Sequence, residues 1–325
     1  MAGTVFVPAL CYSQRMPGSQ IQAPTPPRWQ VVTAFAAIYL IWGSTYLGIR
    51  VAVETIPPLF MAGARAFLAG TALYTLARCR GADKPLPIHW RSAALVGGLL
   101  LVGGNGLLSW SEQRVPSGIS ALIIGSVPLW MVVLEWLLHS GPRPTVGMVS
   151  GLIVGFAGLG FLVAPGRLTS SSPSDLSGIA VLLLAAFSWA NGSLYLRRAP
   201  LPSSQILSAA MEMIAGGALL LLVGGIKGEW TQLDLTRVTA RSWIAWGYLF
   251  TFGSLISFTA YVWLLKVSTP ARVSTYAYVN PVIAVFLGWA FIGEQITTHT
   301  LLAAAGIILA VVIIVTRAAE APAEI

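Results

Sequence analysis

The chain has 325 residues, of which 9% are charged and 56% are hydrophobic, and its mean hydropathy is +0.78. Soluble domains are roughly a quarter charged, so this composition excludes a protein whose main solvent is water. The net charge of +8 does not indicate nucleic-acid binding, because no basic stripe is interleaved with aromatic residues. Cys11, Cys79 and the three histidines have no metal-ligand spacing, and we expect no disulfide, metal or cofactor.

Residues 1–30 contain Pro, Ser and Gln but no long apolar run, and we expect a disordered cytoplasmic tail without a signal peptide. Met16 is an alternative start. Hydropathy then predicts ten membrane-spanning helices. They cover residues 31–53, 57–78, 92–111, 117–138, 145–164, 176–197, 203–224, 243–265, 270–292 and 298–317.

A linker rich in Ser and Pro over residues 165–175 divides the spans into two halves, 31–164 and 176–317, and residues 318–325 form a second tail. With the N-terminus inside, twelve Lys and Arg residues fall in the inner segments and six in the outer ones, while Arg65 lies within a span. This excess of positive charge favours a cytoplasmic location for both termini.

The two halves share a sequence pattern. Trp42 and Arg50 in the first span lie eight residues apart, as do Trp189 and Arg197 in the sixth, and such residues share a face of a helix. Residues 69–73 likewise match 215–219. Because each half has an odd number of spans, the second half must be inverted relative to the first. Inverted repeats are a common architecture of secondary transporters, whose substrate sites lie near the membrane midplane.

Ionisable side chains inside spans are costly and mark transport pathways. Arg65 and Glu212 lie midway along the matched second and seventh spans, so they could form a pair across the repeats. Functionally, Arg65 would bind a carboxylate or phosphate, and Glu212 would bind an amine or carry a coupling proton. Alternatively, the pair only holds the repeats together. Glu135, near the end of the fourth span, is interpreted as a residue that snorkels to the interface.

Polar and aromatic residues complete the predicted site. For any one of them alone a structural role is the better interpretation, but as a set they form an aromatic box with a few polar groups, which suits small amphipathic ligands. The predicted substrate-binding residues are Trp42, Ser44, Thr45, Tyr46, Arg65, Asn105, Trp110, Trp189, Asn191, Glu212, Ser257, Tyr261, Tyr276 and Asn280. Pro281 removes a backbone donor within its helix and leaves a carbonyl free to bend the helix or bind a ligand.

Glycines at positions 147, 151 and 155 recur every four residues along the fifth span. This spacing allows close approach of another helix. We expect it to serve packing within the chain, with a homodimer interface as the alternative.

Three motifs resemble a known family: Trp42-Gly-Ser-Thr-Tyr46, the Pro58…Arg65…Ala69-Gly70 pattern, and Asn280-Pro281…Gly293-Glu294. With the five-plus-five topology over residues 30–317, they resemble the EamA-type branch of the drug/metabolite transporter superfamily. The resemblance implies a ten-helix permease with a cavity between spans one to four and six to nine, and spans five and ten at the periphery. One departure is that Ser140-Gly141-Pro142 replaces the Gly-Glu motif at the end of span four.

We therefore expect an all-α membrane protein of the bacterial inner membrane, with ten transmembrane helices in two inverted five-helix repeats. Its expected function is export of amino acids, drug-like compounds or related amphipathic metabolites by alternating access. Its partners are a small-molecule substrate and the lipid bilayer. Uptake or facilitated diffusion is the alternative, and a non-transporting scaffold is a remote one. An enzyme is disfavoured because no Walker A, Gly-x-Ser-x-Gly or His-Glu-x-x-His motif occurs.

Overall fold

A computed structural model describes residues 26–138, 144–162 and 173–320. Within these ranges the chain is helical and forms no strand. The helices are α1 (Arg28–Ala52), α2 (Pro58–Cys79), α3 (Pro87–Ser111), α4 (Ser117–Ile124), α5 (Val127–Leu138), α6 (Val146–Leu162), α7 (Pro173–Arg198), α8 (Gln205–Ile226), α9 (Glu229–Gln232), α10 (Ala240–Val267), α11 (Pro270–Val273), α12 (Tyr276–Ile292) and α13 (Thr298–Glu320). Most of the predicted tails, most of the 165–175 linker and residues 140–142 lie outside the described residues.

Seven of the described helical segments are long and apolar enough to cross a membrane. They are Arg28–Ala52, Pro58–Cys79, Pro87–Ser111, Ser117–Leu137, Leu176–Arg198, Gln205–Ile226 and Ala240–Val267. Shorter apolar helices, Val146–Leu162, Tyr276–Ile292 and Thr298–Ile314, lie within the predicted fifth, ninth and tenth spans. The structure thus confirms the helical class and shows seven helices of membrane-spanning length among the described residues, whereas the count of ten spans stays a prediction.

Prolines explain where several helices begin or break. Pro58 and Pro87 each occupy the first helical position, where the missing N–H would have had no partner in the helix. Pro128 lies in the first turn of α5 and cannot donate a backbone hydrogen bond to the preceding turn. The predicted fourth span accordingly divides at Gly125 and Ser126. The predicted ninth span also divides, into α11 and α12, and Gly293 ends α12 with a positive φ of 70°.

Three helices contain π-helical segments that the sequence did not predict. These segments are Ala37–Ile41 in α1, Gly98–Gly106 in α3 and Leu249–Phe258 in α10. The last two lie in the predicted third and eighth spans, which are counterparts in the two repeats. Wider helical turns of this kind are rare and occur frequently at functional sites.

The matched helices α2 and α8 pack tightly against each other through glycines. A Cβ atom on Gly70 would lie 2.7 Å from the backbone nitrogen of Ile214, and one on Gly217 would lie 2.5 Å from that of Phe67. Both distances are shorter than van der Waals contact, so only glycine permits this approach. The repeated segments 69–73 and 215–219 therefore both lie at the interface between the halves, where each faces the other helix.

Glycines of α6 serve packing within the chain, as expected. A Cβ atom on Gly151 would lie 2.7 Å from Ile314 of α13, and one on Gly155 would lie 2.7 Å from Leu129 of α5. Among the described elements, α6 packs chiefly against α13 and also contacts α5. This placement agrees with a peripheral fifth span.

Contacts between loops and helix ends define two ends of the bundle. At one of them, which we call the Glu294 end, a Glu294 carboxylate oxygen accepts a hydrogen bond of 2.6 Å from the backbone nitrogen of Ser117. At the other, the Lys266 end, Lys266 donates to the Ser208 hydroxyl at 3.3 Å and Arg198 pairs with Glu135 at 2.8 Å. Glu135 is thus partly exposed at a helix end, in agreement with its interpretation.

Candidate functional site

A cavity lies between helices from both halves of the chain. Its lining comes from α1, α2, α3 and α4 of the first half and from α7, α8, α10 and α12 of the second. Eight of the fourteen predicted site residues line it: Trp42, Thr45, Tyr46, Arg65, Asn105, Trp189, Tyr276 and Asn280. Sites between helices from different repeats suit small ligands, because side chains from several elements converge there.

Arg65 is the charged group that lines the cavity. It is 6% exposed, and its guanidinium donates to the Ser254 hydroxyl at 2.8 Å and to the Asn105 amide oxygen at 2.5 Å. Its Nε atom has no hydrogen-bond partner. Both acceptors are neutral, and among the described residues no carboxylate forms an ion pair with Arg65. The cavity therefore contains a buried cation that is solvated only by neutral dipoles.

Both partners of Arg65 lie on π-helical segments. Asn105 belongs to the segment of α3 and Ser254 to that of α10. Gly253, beside Ser254, lets α10 approach closely, since a Cβ atom there would lie 3.7 Å from an Arg65 nitrogen and 3.3 Å from Thr45. Arg65 of the first half is thus held by one residue from each half.

Four aromatic side chains pack together at one side of the cavity. Trp42 contacts Trp189 edge-on at a centroid distance of 5.5 Å, Tyr261 at 4.8 Å and Tyr276 edge-on at 5.4 Å. The Trp189 indole donates to the Tyr261 hydroxyl at 3.1 Å, which also shares a hydrogen bond of 2.6 Å with Ser193. The tryptophans of the two repeated motifs therefore meet, and a close approach at Gly104 accommodates the Trp189 ring.

Asn280 adds an amide to the cavity. It is 2% exposed, and its side-chain oxygen has no hydrogen-bond partner. The next residue, Pro281, cannot donate to the carbonyl of Ala277, one turn earlier. That carbonyl faces Gly125 instead, where an added Cβ atom would lie 3.0 Å from the oxygen. The freed carbonyl therefore packs at the break between α4 and α5.

The other predicted site residues are not among those that line the cavity: Ser44, Trp110, Asn191, Glu212, Ser257 and Tyr261. Ser44 bonds within its own helix and shares a 2.6 Å hydrogen bond with Tyr248, and the ring of Trp110 lies 4.0 Å from the Arg114 guanidinium carbon. Ser257 donates to the Ala37 carbonyl at 3.3 Å. These side chains therefore make structural contacts near the cavity.

The suggested pair between Arg65 and Glu212 does not form. Glu212 is fully buried, and neither of its carboxylate oxygens has a hydrogen-bond partner. Lys266 interacts electrostatically with Glu212, and its ammonium donates to Ser208, one helical turn from Glu212. The pairing prediction is wrong because equivalent positions in the two repeats do not fix the direction in which a side chain points. Glu212 is directed from α8 towards α10, near the Lys266 end.

Sequence reasoning missed two parts of this region. Ser254 was not assigned to the site, although it accepts a hydrogen bond from Arg65. The sequence patterns included Arg50 and Glu294 separately, but they did not indicate that these two residues lie together with Glu112. Long-range contacts alone bring them together, and no sequence spacing indicates such contacts.

Sequence comparison places these features in a family. Residues 29–164 and 176–316 each match the EamA-like transporter family. The chain belongs to this family. It is 40% identical over 283 residues to the uncharacterized inner membrane transporter YedA of Escherichia coli (strain K12), covering 86% of this chain and 89% of that protein. It is 25% identical over 283 residues to the uncharacterized transporter YoaV of Bacillus subtilis (strain 168), with coverages of 85% and 93%.

A solved crystal structure that is 19% identical to the chain has a TM-score of 0.63 and covers 91% of this chain and 100% of that one. At this identity the likeness shows the fold alone. The EamA-like family, the names of its relatives and the membrane-length helices together show a membrane protein of the transporter class. The family indicates a small-molecule substrate and a lipid environment, and a transporter rather than an enzyme.

Proposed function

We propose that this EamA-like protein exports amino acids or related amphipathic solutes, drug-like compounds among them, by alternating access. The observation that carries the proposal is the environment of Arg65, a buried guanidinium in the cavity with neutral partners. Burying a charge is costly unless an opposite charge compensates it. A solute carboxylate would supply that charge and would form strong, charge-assisted hydrogen bonds with the guanidinium.

The rest of the lining fits the other parts of such a solute. The unpartnered Asn280 amide oxygen is an acceptor for an ammonium group. Trp42 and Tyr276 present aromatic surface for an apolar side chain, and the face of an aromatic ring also attracts a cation. A zwitterion with an apolar side chain is therefore the best match to this cavity, ahead of a phosphate or a simple cation.

The proposal includes a topology. We propose that the ten predicted spans form two inverted five-helix repeats, 31–164 and 176–317, in the inner membrane of a bacterium, with both termini in the cytoplasm. The excess of Lys and Arg at the Lys266 end supports this orientation. The Glu294 end would then face the periplasm. Glu212, buried without a partner, is proposed as a proton carrier rather than a substrate ligand, because it is not among the lining residues.

Transport by purified protein in liposomes tests this function. Counterflow of labelled amino acids, their amides and small organic cations should show saturable flux only for solutes with a carboxylate. An imposed pH gradient should accelerate net flux if Glu212 carries a proton, and the acceleration should disappear in Glu212→Gln. Flux that is indifferent to pH would favour the alternative, a facilitator or uptake permease. Flux of organic cations alone, or of no solute, would refute the proposed substrate class.

A further inference from the structure

A second buried carboxyl group lies outside the cavity, at the Glu294 end. Glu112 follows directly after α3 and is fully buried. Neither of its carboxylate oxygens has a hydrogen-bond partner. Arg50 reaches this residue but donates to its backbone carbonyl oxygen and not to its carboxylate. An ionised carboxylate in such a position would lack both solvation and a partner, which is a costly arrangement.

Glu294 lies close to Glu112, but its carboxylate, unlike that of Glu112, accepts hydrogen bonds. Its two carboxylate oxygens accept hydrogen bonds from the backbone nitrogens of Ser117 at 2.6 Å and Gly118 at 3.1 Å. These N–H groups begin α4, so the helix terminus stabilises a negative charge on Glu294. Of two neighbouring carboxyl groups, the one without donors takes the proton. Burial, followed by the charge of Glu294, raises the pKa of Glu112 well above its usual range, and Arg50 opposes this.

The surroundings of Glu112 are polar but contain few charges. Arg50 and Tyr46 face it from α1, and Glu294 faces it from the end of α12. The side chain of Arg114 is directed elsewhere, over the ring of Trp110. Three buried serine hydroxyls nearby in sequence also lack partners: Ser111, Ser117 and Ser120. The guanidinium of Arg50 repels a metal cation, so a proton is the cation that this site favours.

We infer that Glu112 is a second proton-binding site of the protein, and that Arg50 controls it by moving between the Glu112 carbonyl and the Glu112 carboxylate. In the present arrangement the carboxyl group holds its proton. When the Arg50 guanidinium turns to the carboxylate, the O–H bond breaks, the proton passes to water at the Glu294 end, and an ion pair replaces it. The role of this site in transport rests on the proposed function, since a proton site at the periplasmic end would supply protons to a proton-driven exporter.

Infrared difference spectroscopy tests the protonation state without any substrate. The C=O stretch of a protonated carboxyl group is recorded against pH for the protein in lipid, in a Glu212→Gln, Glu229→Gln background that removes the two other described acids that are buried. A band should be present at pH 7 and vanish in Glu112→Gln. Glu54→Gln is the matched control, because Glu54 is an exposed carboxylate at the same end that pairs with Arg241 at 3.7 Å. It should leave the band unchanged.

Three further variants keep the test decisive. Glu112→Asp should retain an acid band at a shifted frequency, which guards against misfolding of the Gln variant. Arg50→Met should raise the pH at which the band disappears by about one unit or more, a tenfold gain in proton affinity, whereas Arg50→Lys should restore the original midpoint. The inference is overturned if the band survives Glu112→Gln, if Arg50→Met leaves the midpoint unchanged, or if Na⁺ removes the band at constant pH.

Transport measurements separate this inference from the proposed function. In Glu112→Gln, acceleration of flux by a pH gradient should be lost while counterflow of the solute persists. If no solute is transported by the wild-type protein but the infrared band behaves as expected, the proposed function fails and the proton site stands. If the wild-type protein transports solute but the band is absent, the proton site fails alone.

Discussion

Replacement of Arg65 gives the sharpest test of how the cavity binds its solute. The guanidinium donates to Ser254 and Asn105, and its Nε atom has no partner. At least one charge-assisted hydrogen bond to a solute carboxylate is therefore available, and such a bond contributes about 1.5–3 kcal/mol. Because about 1.4 kcal/mol corresponds to a factor of ten, Arg65→Ala should raise KM for a carboxylate solute by about 10–150-fold.

The assay compares an amino acid with its amide in counterflow, so that the charge on the solute varies as well as the residue. Arg65→Ala should raise KM for the amino acid by the full factor and KM for the amide much less. Arg65→Lys should fall between, because an ammonium keeps the charge but cannot reproduce the planar fork that reaches two acceptors. Arg241→Ala, an exposed arginine outside the cavity, is the matched control. Equal losses for the amino acid and its amide would refute carboxylate binding by Arg65.

Three further predictions follow from contacts in the bundle. Gly217→Ala should lower the thermal unfolding temperature, because its Cβ atom would lie 2.5 Å from the Phe67 backbone nitrogen. Gly247→Ala is the control and should not lower it, since no atom lies within 4 Å of a Cβ there. Equal effects of the two substitutions would contradict the packing argument. Glu294→Gln should destabilise the protein by about 1 kcal/mol in chemical unfolding, through a weakened α4 terminus. Trp42→Ala should raise KM for aromatic solutes more than for small aliphatic ones; a uniform change would argue against aromatic contact.

The sequence predicted the elements that depend on local patterns and on the repeat. Apolar runs of sufficient length located the helices, because a bilayer imposes that length. The matched motifs correctly indicated that Trp42 and Trp189 belong together, and they meet edge-on in the structure. Arg65 was identified as a site residue because a charge in a span is costly, and it does line the cavity.

Other features depend on geometry that the pattern does not contain. The π-helical segments of α3 and α10 change the direction of every later side chain in their helices, and the sequence has no marker for them. In α10, Ser254 reaches Arg65, whereas Ser257 donates to the Ala37 carbonyl and Tyr261 packs against Trp42 and Tyr276. Glu212 shows the same limit, since equivalent positions in two repeats fix depth along the helix but not the direction that a side chain faces.

Under the proposed function, the position of Arg65 would link solute binding to movement of the two halves. Its guanidinium bonds to Asn105 of the first half and Ser254 of the second, and both acceptors lie on π-helical segments. A solute carboxylate that bonds to the free Nε and also to a terminal guanidinium nitrogen would compete with Ser254 or Asn105 for that donor. The proposed binding would then weaken a contact between the halves in the same step. A ligand shifts a conformational equilibrium only by its differential affinity for the two states, and this exchange of partners would provide that difference.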